Sequence, residues 1–196
     1  MHVSRETRER LEVFRAEFAR WAPRINLTSG SEQGRLGERH IEDSLQLIDI
    51  RHPKGRWFDI GTGGGFPGAI LAAAQADHDG RIAMVESNNK KAAFLRSTIL
   101  AMNADATIHA ERAETVVSRE APPETVSARA LASLDDLLIM LEPWLANGTV
   151  GLFPKGRRAD EEIAAARNRW RFDCRRHPSR TANDAVVLEI ADLARA

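Results

Sequence analysis

An acid followed by glycines at alternate positions, Asp59, Gly61, Gly63 and Gly65, is the stretch of this sequence best suited to chemistry. A second acid, Glu86, stands roughly 20 residues beyond them. The apolar run Trp57–Ile60 leads into the glycines, and Pro67 opens an apolar segment, Ala69–Ala74, that predicts a helix. Proline suits a first helical turn, because the N–H it lacks has no partner inside a helix. Glycine takes positive φ and lets a ligand come close to the backbone. Strand, glycine turn and helix in that order form the entry to a nucleotide-type cofactor site in a doubly wound α/β fold. Gly63-Gly64-Gly65-Phe66-Pro67-Gly68 also spells the G-x-G-x-x-G dinucleotide fingerprint. A pyrophosphate, however, is held by N–H groups at the helix start, and Pro67 removes one of them. The acid at Asp59 disfavours a pyrophosphate and suits a cationic ligand such as S-adenosylmethionine, with its sulfonium and ammonium groups. A strand-to-helix turn without a ligand is the plain alternative. The acid-led spacing favours S-adenosylmethionine over NAD. Glu86 is then the carboxylate that accepts hydrogen bonds from ribose hydroxyls, rather than an ordinary exposed strand end.

Such residues need a βαβ frame, and the chain supplies one. Its 196 residues, 43% apolar and 29% charged, suit a single globular domain, residues 1–196, with a helical extension over 1–55 and an α/β core over 56–196. No apolar run approaches the roughly 20 residues of a membrane span, and the charged start Met1–Glu6 is unlike a signal peptide. One cysteine, Cys174, and scattered histidines give no internal disulfide and no metal-ligand spacing, so the cytosol is the expected compartment. Leu11, Phe14, Phe18 and Trp21 recur at helical spacing over Ser4–Trp21. Pro23 ends that helix, Asn26–Ser31 predicts a loop, and Leu36, Ile41, Leu45 and Ile48 predict a second helix from about Ser31 to Ile50. After the glycines, a strand over Arg81–Glu86 and a helix over Lys90–Met102 are expected, with Ser87, Asn88 and Asn89 as capping candidates. A third strand at Thr107–Ala110 and a fourth ending near Ser127–Ala130 follow. Ser133 and Asp136 resemble a capping box for a helix over Leu134–Leu141. A fifth strand, Thr149–Phe153, stops at Pro154-Lys155-Gly156, and a helix lies near Ala159–Arg167. The last runs, Arg169–Cys174 and Ala185–Ile190, are strands without a long crossover between them, hence antiparallel, unlike the all-parallel dinucleotide folds.

Ligands in this fold sit beyond the carboxyl ends of the parallel strands. Asp59 with its glycines, Glu86, Ala113-Glu114, Arg129 and Lys155 fall there. With S-adenosylmethionine bound, Gly61 and Phe66 face it, Ala113 and Glu114 flank the adenine, and Arg129 and Lys155 stand nearer the methyl acceptor. For Lys155 a solvated loop lysine is the competing reading. No Asn-Pro-Pro-aromatic or Asp-Pro-Pro-aromatic tetrapeptide and no Pro-Cys pair occurs, which disfavours adenine amines and pyrimidine carbon-5 as acceptors. Guanine N7 has a free lone pair and needs no base. The formal net charge is zero, so nucleic-acid binding must rest on local charge. Lys155, Arg157, Arg158, Arg175 and Arg176 lie in a basic run that suits phosphate or simply faces solvent, and the first helix adds further arginines.

Asn26-Leu27-Thr28, Arg39-His40-Ile41-x-Asp43-Ser44-Leu45, Asp59 to Gly68, Glu86-Ser87-x-x-Lys90-Lys91-x-x-Phe94-Leu95, Ser127-Ala128-Arg129-Ala130 and Lys155-Gly156 occur in this order. Together they resemble the bacterial 16S ribosomal RNA guanine-N7 methyltransferases, the methyltransferase G or glucose-inhibited division protein B family, from Asn26 onward. The resemblance implies a class I, Rossmann-like methyltransferase with a seven-stranded, mostly parallel sheet and an antiparallel final strand. It implies methyl transfer from S-adenosylmethionine to N7 of a guanine in the 530 loop of 16S ribosomal RNA, by a monomer acting on the small subunit or an assembly intermediate. Cofactor contacts carry over to Gly61, Phe66, Ala113, Glu114 and Arg129, and no residue is assigned as a certain catalyst beyond the candidates Arg129 and Lys155. His40, Asp43 and Ser44 match a motif of the extension, where they either close over the cofactor or brace the helices. The chain departs from the family at Glu86, often Asp, and at Asn183-Asp184-Ala185, where a basic residue is usual. Another acceptor, or an RNA-binding module without activity, is the rival reading.

Overall fold

The structure is a computed structural model that describes residues 3–27, 36–77 and 79–196, without the side chains of 36–38 and 76. Ser4 caps the first helix, α1 (Arg5–Trp21), its Oγ accepting the Thr7 N–H at 3.1 Å. Leu11 and Phe14 are buried and Phe18 and Trp21 pack beside them, as the helical spacing requires. Helix α2 spans Leu36–Ile50. The proposed start of that helix at Ser31, the loop Thr28–Ser31 and the side chain of Leu36 lie outside the described residues.

The core then alternates: β1 (Arg56–Ile60), α3 (Gly68–Ala73), β2 (Arg81–Val85), α4 (Asn89–Ala101), β3 (Ala106–His109), α5 (Ala113–Arg119), β4 (Thr125–Ala128), α6 (Leu134–Leu145), β5 (Val150–Lys155), α7 (Ala159–Ala166), β6 (Trp170–Pro178) and β7 (Val186–Arg195). The seven strands form one sheet in the order β3-β2-β1-β4-β5-β7-β6. Strands β1 to β5 are parallel, and β7 runs antiparallel to both β5 and β6. Successive β1 residues face opposite layers: Trp57 joins the core under α1 to α4, and Phe58 joins the one under α6. Every residue of α3 is buried, because its small side chains let α1 and α2 lie across it while its other side meets β2. The extension is thus the outer cover of the helix that leaves the glycine turn.

Some local expectations change. Pro67 is the N-cap of α3 rather than its first residue. Strand β5 does not stop before Pro154 but continues through Lys155. Its pairing with β4 ends at Leu152, so Pro154 pairs only with Val187 of β7, and its missing N–H breaks no central ladder. Helix α5, which has no side-chain cap, was not marked by the sequence pattern. Strands β6 and β7 outrun the apolar runs that mark them, since Trp170 and Phe172 alternate with exposed Arg171 and Asp173 and the pairing carries on past them.

Candidate active site

Strand β1 is paired with β2 on one side and β4 on the other, so the connections leaving it diverge and open a crevice over the carboxyl ends. The glycine turn lines that crevice. Gly61 has φ +69° and donates its N–H to Val85 O at 2.9 Å, tying the turn to the end of β2. Glu86 completes the tie, with Oε2 accepting the Gly63 N–H at 3.0 Å and Oε1 the Asn88 N–H at 2.7 Å. One carboxylate therefore fixes both the glycine turn and the start of α4, and each of its oxygens keeps a lone pair for a ligand. A Cβ on Gly64 would lie 2.9 Å from Leu27 O, so the missing side chain is what lets the extension close on the turn.

Asp59 and Gly65 are placed differently from the sequence expectation, for neither lines the crevice. Asp59 is 0% exposed beneath the turn, where Oδ2 accepts the Gly68 N–H at 2.9 Å and Oδ1 the Ser127 hydroxyl at 2.8 Å. Trp57 Nε1 donates to the same Ser127 oxygen at 3.0 Å. Burial pushes the Asp59 carboxyl up to about 6, with the bonds from Ser127 and Gly68 acting the other way. Asp59 thus lies behind the glycine turn, bonded to the start of α3 and to β4. Gly65 faces inward, where a Cβ would be 2.8 Å from the Ala69 Cβ and 3.2 Å from the Phe14 ring.

The crevice has adjoining parts. One is lined by Gly61, Glu86, Lys91, Ala113, Glu114 and Leu131. The next runs from Leu27 and His40 past Gly63 and Phe66 to Arg129. The third holds Arg39, Asp43, Arg129, Lys155, Glu162 and Ser179. Ala130, with φ +51°, lines all of them. A non-glycine residue held there carries strain of the kind found at ligand sites. Phe66 packs between the extension and the crevice, its ring centroid 5.3 Å from those of both Phe14 and His40. His40 also bonds the Arg129 guanidinium, and Asp43 Oδ2 lies 3.5 Å from Arg129 Nη2. Asp43 Oδ1 accepts from Ser179 Oγ at 3.4 Å and from Thr181, joining α2 to the β6–β7 connection. The His40 motif thus lines the crevice and ties α2 to Arg129 and to the β6–β7 connection.

Lys155 is not a solvated loop lysine. Its side chain is 8% exposed, and Nζ donates to Ala132 O and to Glu162 Oε2, each at 2.8 Å. Of the basic run, Arg157 is exposed. Arg158, Arg175 and Arg176 are exposed as well but pair with Glu161, Glu189 and Asp160. Sequence reading missed Arg39, Lys91, Ala130, Leu131 and Glu162. Arg39, Lys91 and Ala130 stand inside the quoted motifs without a role assigned to them, whereas nothing in the spacing marks Glu162 as a neighbour of Lys155.

Residues 7–185 match the family model described as rRNA small subunit methyltransferase G. The chain belongs to that family. Ribosomal RNA small subunit methyltransferase G of Chelativorans sp. (strain BNC1) is 45% identical over 98% of this chain and 92% of its own. The protein of that name from Brucella ovis is 45% identical over 98% of this chain and 91% of its own. Among solved structures, the fold is shared with the SAH-bound methyltransferase PaMTH1 of Podospora anserina, at TM-score 0.63, 15% identity and coverage of 92% and 87% of the two chains. It is also shared with an S-adenosylmethionine complex of an MtNAS variant, at TM-score 0.63, 16% identity and coverage of 92% and 72%. The architecture is thus the class I methyltransferase fold, and here the extension forms a wall of the crevice. His40→Ala is expected to loosen Arg129 and cut methyl transfer by about tenfold or more, since small misplacements at a reacting centre are costly. Steady-state assays on a variant with unchanged circular dichroism check this, and wild-type rates would sink it.

Proposed function

We propose that this chain, as a single monomeric methyltransferase domain in the cytoplasm, methylates N7 of a guanine in the 530 loop of 16S ribosomal RNA. The substrate is the small subunit or an assembly intermediate, and the cofactor is S-adenosylmethionine. The observation that carries this reading is the continuity of the crevice, from Glu86 and Ala113 past the glycine turn to Arg129 and Lys155, in a chain matched to the family almost end to end.

The residues fit the cofactor. Glu86 keeps acceptor capacity for ribose hydroxyls, and Ala113 and Glu114 line the same part of the crevice. A Cβ on Gly61 would enter that space, 2.8 Å from Leu131 Cδ1. Asp59 places a buried carboxyl behind the turn. When bound, S-adenosylmethionine supplies an electrophilic methyl group on a sulfonium. The protein's part is to bind, orient and exclude water. On the acceptor side, Asp43 and Glu162 are each tied to a cation, Arg129 and Lys155, the arrangement of groups that position a base. Guanine N7 presents its own lone pair, so no proton need be removed before attack. Alignment of that kind contributes roughly 7–11 kcal/mol when geometry is good. The surface pairs of Arg158, Arg175 and Arg176 are worth at most about 1 kcal/mol each, so these arginines can turn to RNA phosphates at little cost.

Incubation with labelled S-adenosylmethionine and ribosomal RNA lacking its native modification tests the reading. Label in the small-subunit RNA is the expected result. Tight cofactor binding with label only in protein or a small molecule would overturn the RNA acceptor.

A further inference from the structure

Guanine and adenine both carry an N7, so an enzyme of this kind must tell them apart elsewhere on the ring. Guanine offers an O6 acceptor beside N1–H and N2–H donors, whereas adenine offers an N6–H donor beside an N1 acceptor. A guanine pocket therefore needs a donor next to an acceptor, both facing the acceptor side of the crevice. Asp43 and Glu162 are the carboxylates lining that part. Asp43 is engaged through both oxygens, for Oδ2 faces Arg129 and Oδ1 takes Ser179 and Thr181. Glu162 is not. Its Oε2 accepts both Lys155 Nζ and the Leu134 N–H, each at 2.8 Å, while Oε1 has no hydrogen-bond partner among the described residues. The side chain is 21% exposed and lines the crevice together with Arg129, Ala130 and Lys155. Lys155 Nζ, an ammonium with three N–H groups, spends two of them on Ala132 O and Glu162. Donor and acceptor thus stand side by side, each with capacity left over, and each held by the other and by a backbone group.

We propose that Glu162 is the residue that selects guanine, its Oε1 accepting from the N1–H and N2–H groups while the remaining Lys155 N–H donates to O6. The inference rests on the guanine-N7 reading above and names the base contact of that same site. Adenine in this pose would set its N1 lone pair against the carboxylate and its amine against the ammonium, which rejects it without a steric gate.

Small subunits carrying guanine or inosine at the target position test it, because inosine lacks only the N2 amine. Wild-type enzyme is expected to lose roughly 10–100-fold in kcat/KM on inosine. Glu162→Gln keeps the side chain's size and an oxygen for Lys155 and Leu134. It turns an amide donor toward the base, so guanine should lose a comparable factor while cofactor affinity is unchanged. In that variant the guanine-to-inosine ratio should fall to about one, since the contact that reads N2 is gone. A purely structural Glu162 would slow both bases equally and leave the ratio as in wild type, and that result overturns the proposal, as would a wild-type enzyme indifferent to inosine. Failure of wild type to methylate N7 of the guanine at all would instead overturn the underlying reading.

Discussion

Gly61→Asp is expected to abolish cofactor binding, with at least a 100-fold loss of affinity measured by calorimetric titration. Gly61 sits at φ +69°, where a side chain costs about 1–2 kcal/mol. The new Cβ would stand 2.8 Å from Leu131 Cδ1, so Leu131 must move within the crevice it lines. The carboxylate would then occupy the space beside Glu86, adding a further negative charge where ribose hydroxyls need room. Because the Gly61 N–H to Val85 bond involves backbone alone, the fold can survive the change. Normal binding by a folded variant would contradict the placement of the cofactor along the turn.

Asp59→Asn should make the protein more stable relative to wild type as pH rises, by about 2–3 kcal/mol between about pH 4 and pH 7. The carboxyl is 0% exposed and burial raises its pKa from 3.8 to about 6. The folded protein therefore holds that proton more tightly than the unfolded chain. The stability this group contributes is fully present below the unfolded pKa and is lost as pH climbs through the folded one. Asparagine has no charge to bury, can accept the Gly68 N–H with its oxygen, and can donate to Ser127. The gap between the two urea-unfolding free energies should open with pH, and a constant gap would contradict the account of Asp59. The same substitution should weaken S-adenosylmethionine more than S-adenosylhomocysteine, because only the former carries the sulfonium that a buried anion attracts.

The frame of the fold was legible because it is written in local pattern. The helical spacing of Leu11, Phe14 and Phe18, the glycine turn after Trp57–Ile60 and the closely spaced final strands each place an element without reference to the rest. Glu86 and Gly61 were legible for the same reason, since a strand end and a turn fix where such residues must point. Asp59 was misplaced because spacing gives its strand and position but not its face. Strand alternation turns it with Trp57 toward α3, where the Gly68 N–H and Ser127 hydroxyl receive it. The spacing leaves Lys155 open between a site residue and a solvated lysine because its partner Glu162 stands on another element, and only the fold brings the two within 2.8 Å. The same holds for Asp43, whose partners on the β6–β7 connection lie far along the chain. Long-range polar pairing is the part of a site that periodicity does not carry.

The central claim is that this crevice joins S-adenosylmethionine to one guanine of the small-subunit RNA. Its most direct test is to methylate naked RNA and assembled small subunits, both lacking the native modification, and to map the label by the chemical lability of N7-methylguanine. The account predicts strand scission at one guanine in the 530 loop, lost in Gly61→Asp. Label at another ring position, or spread over many guanines, would contradict it.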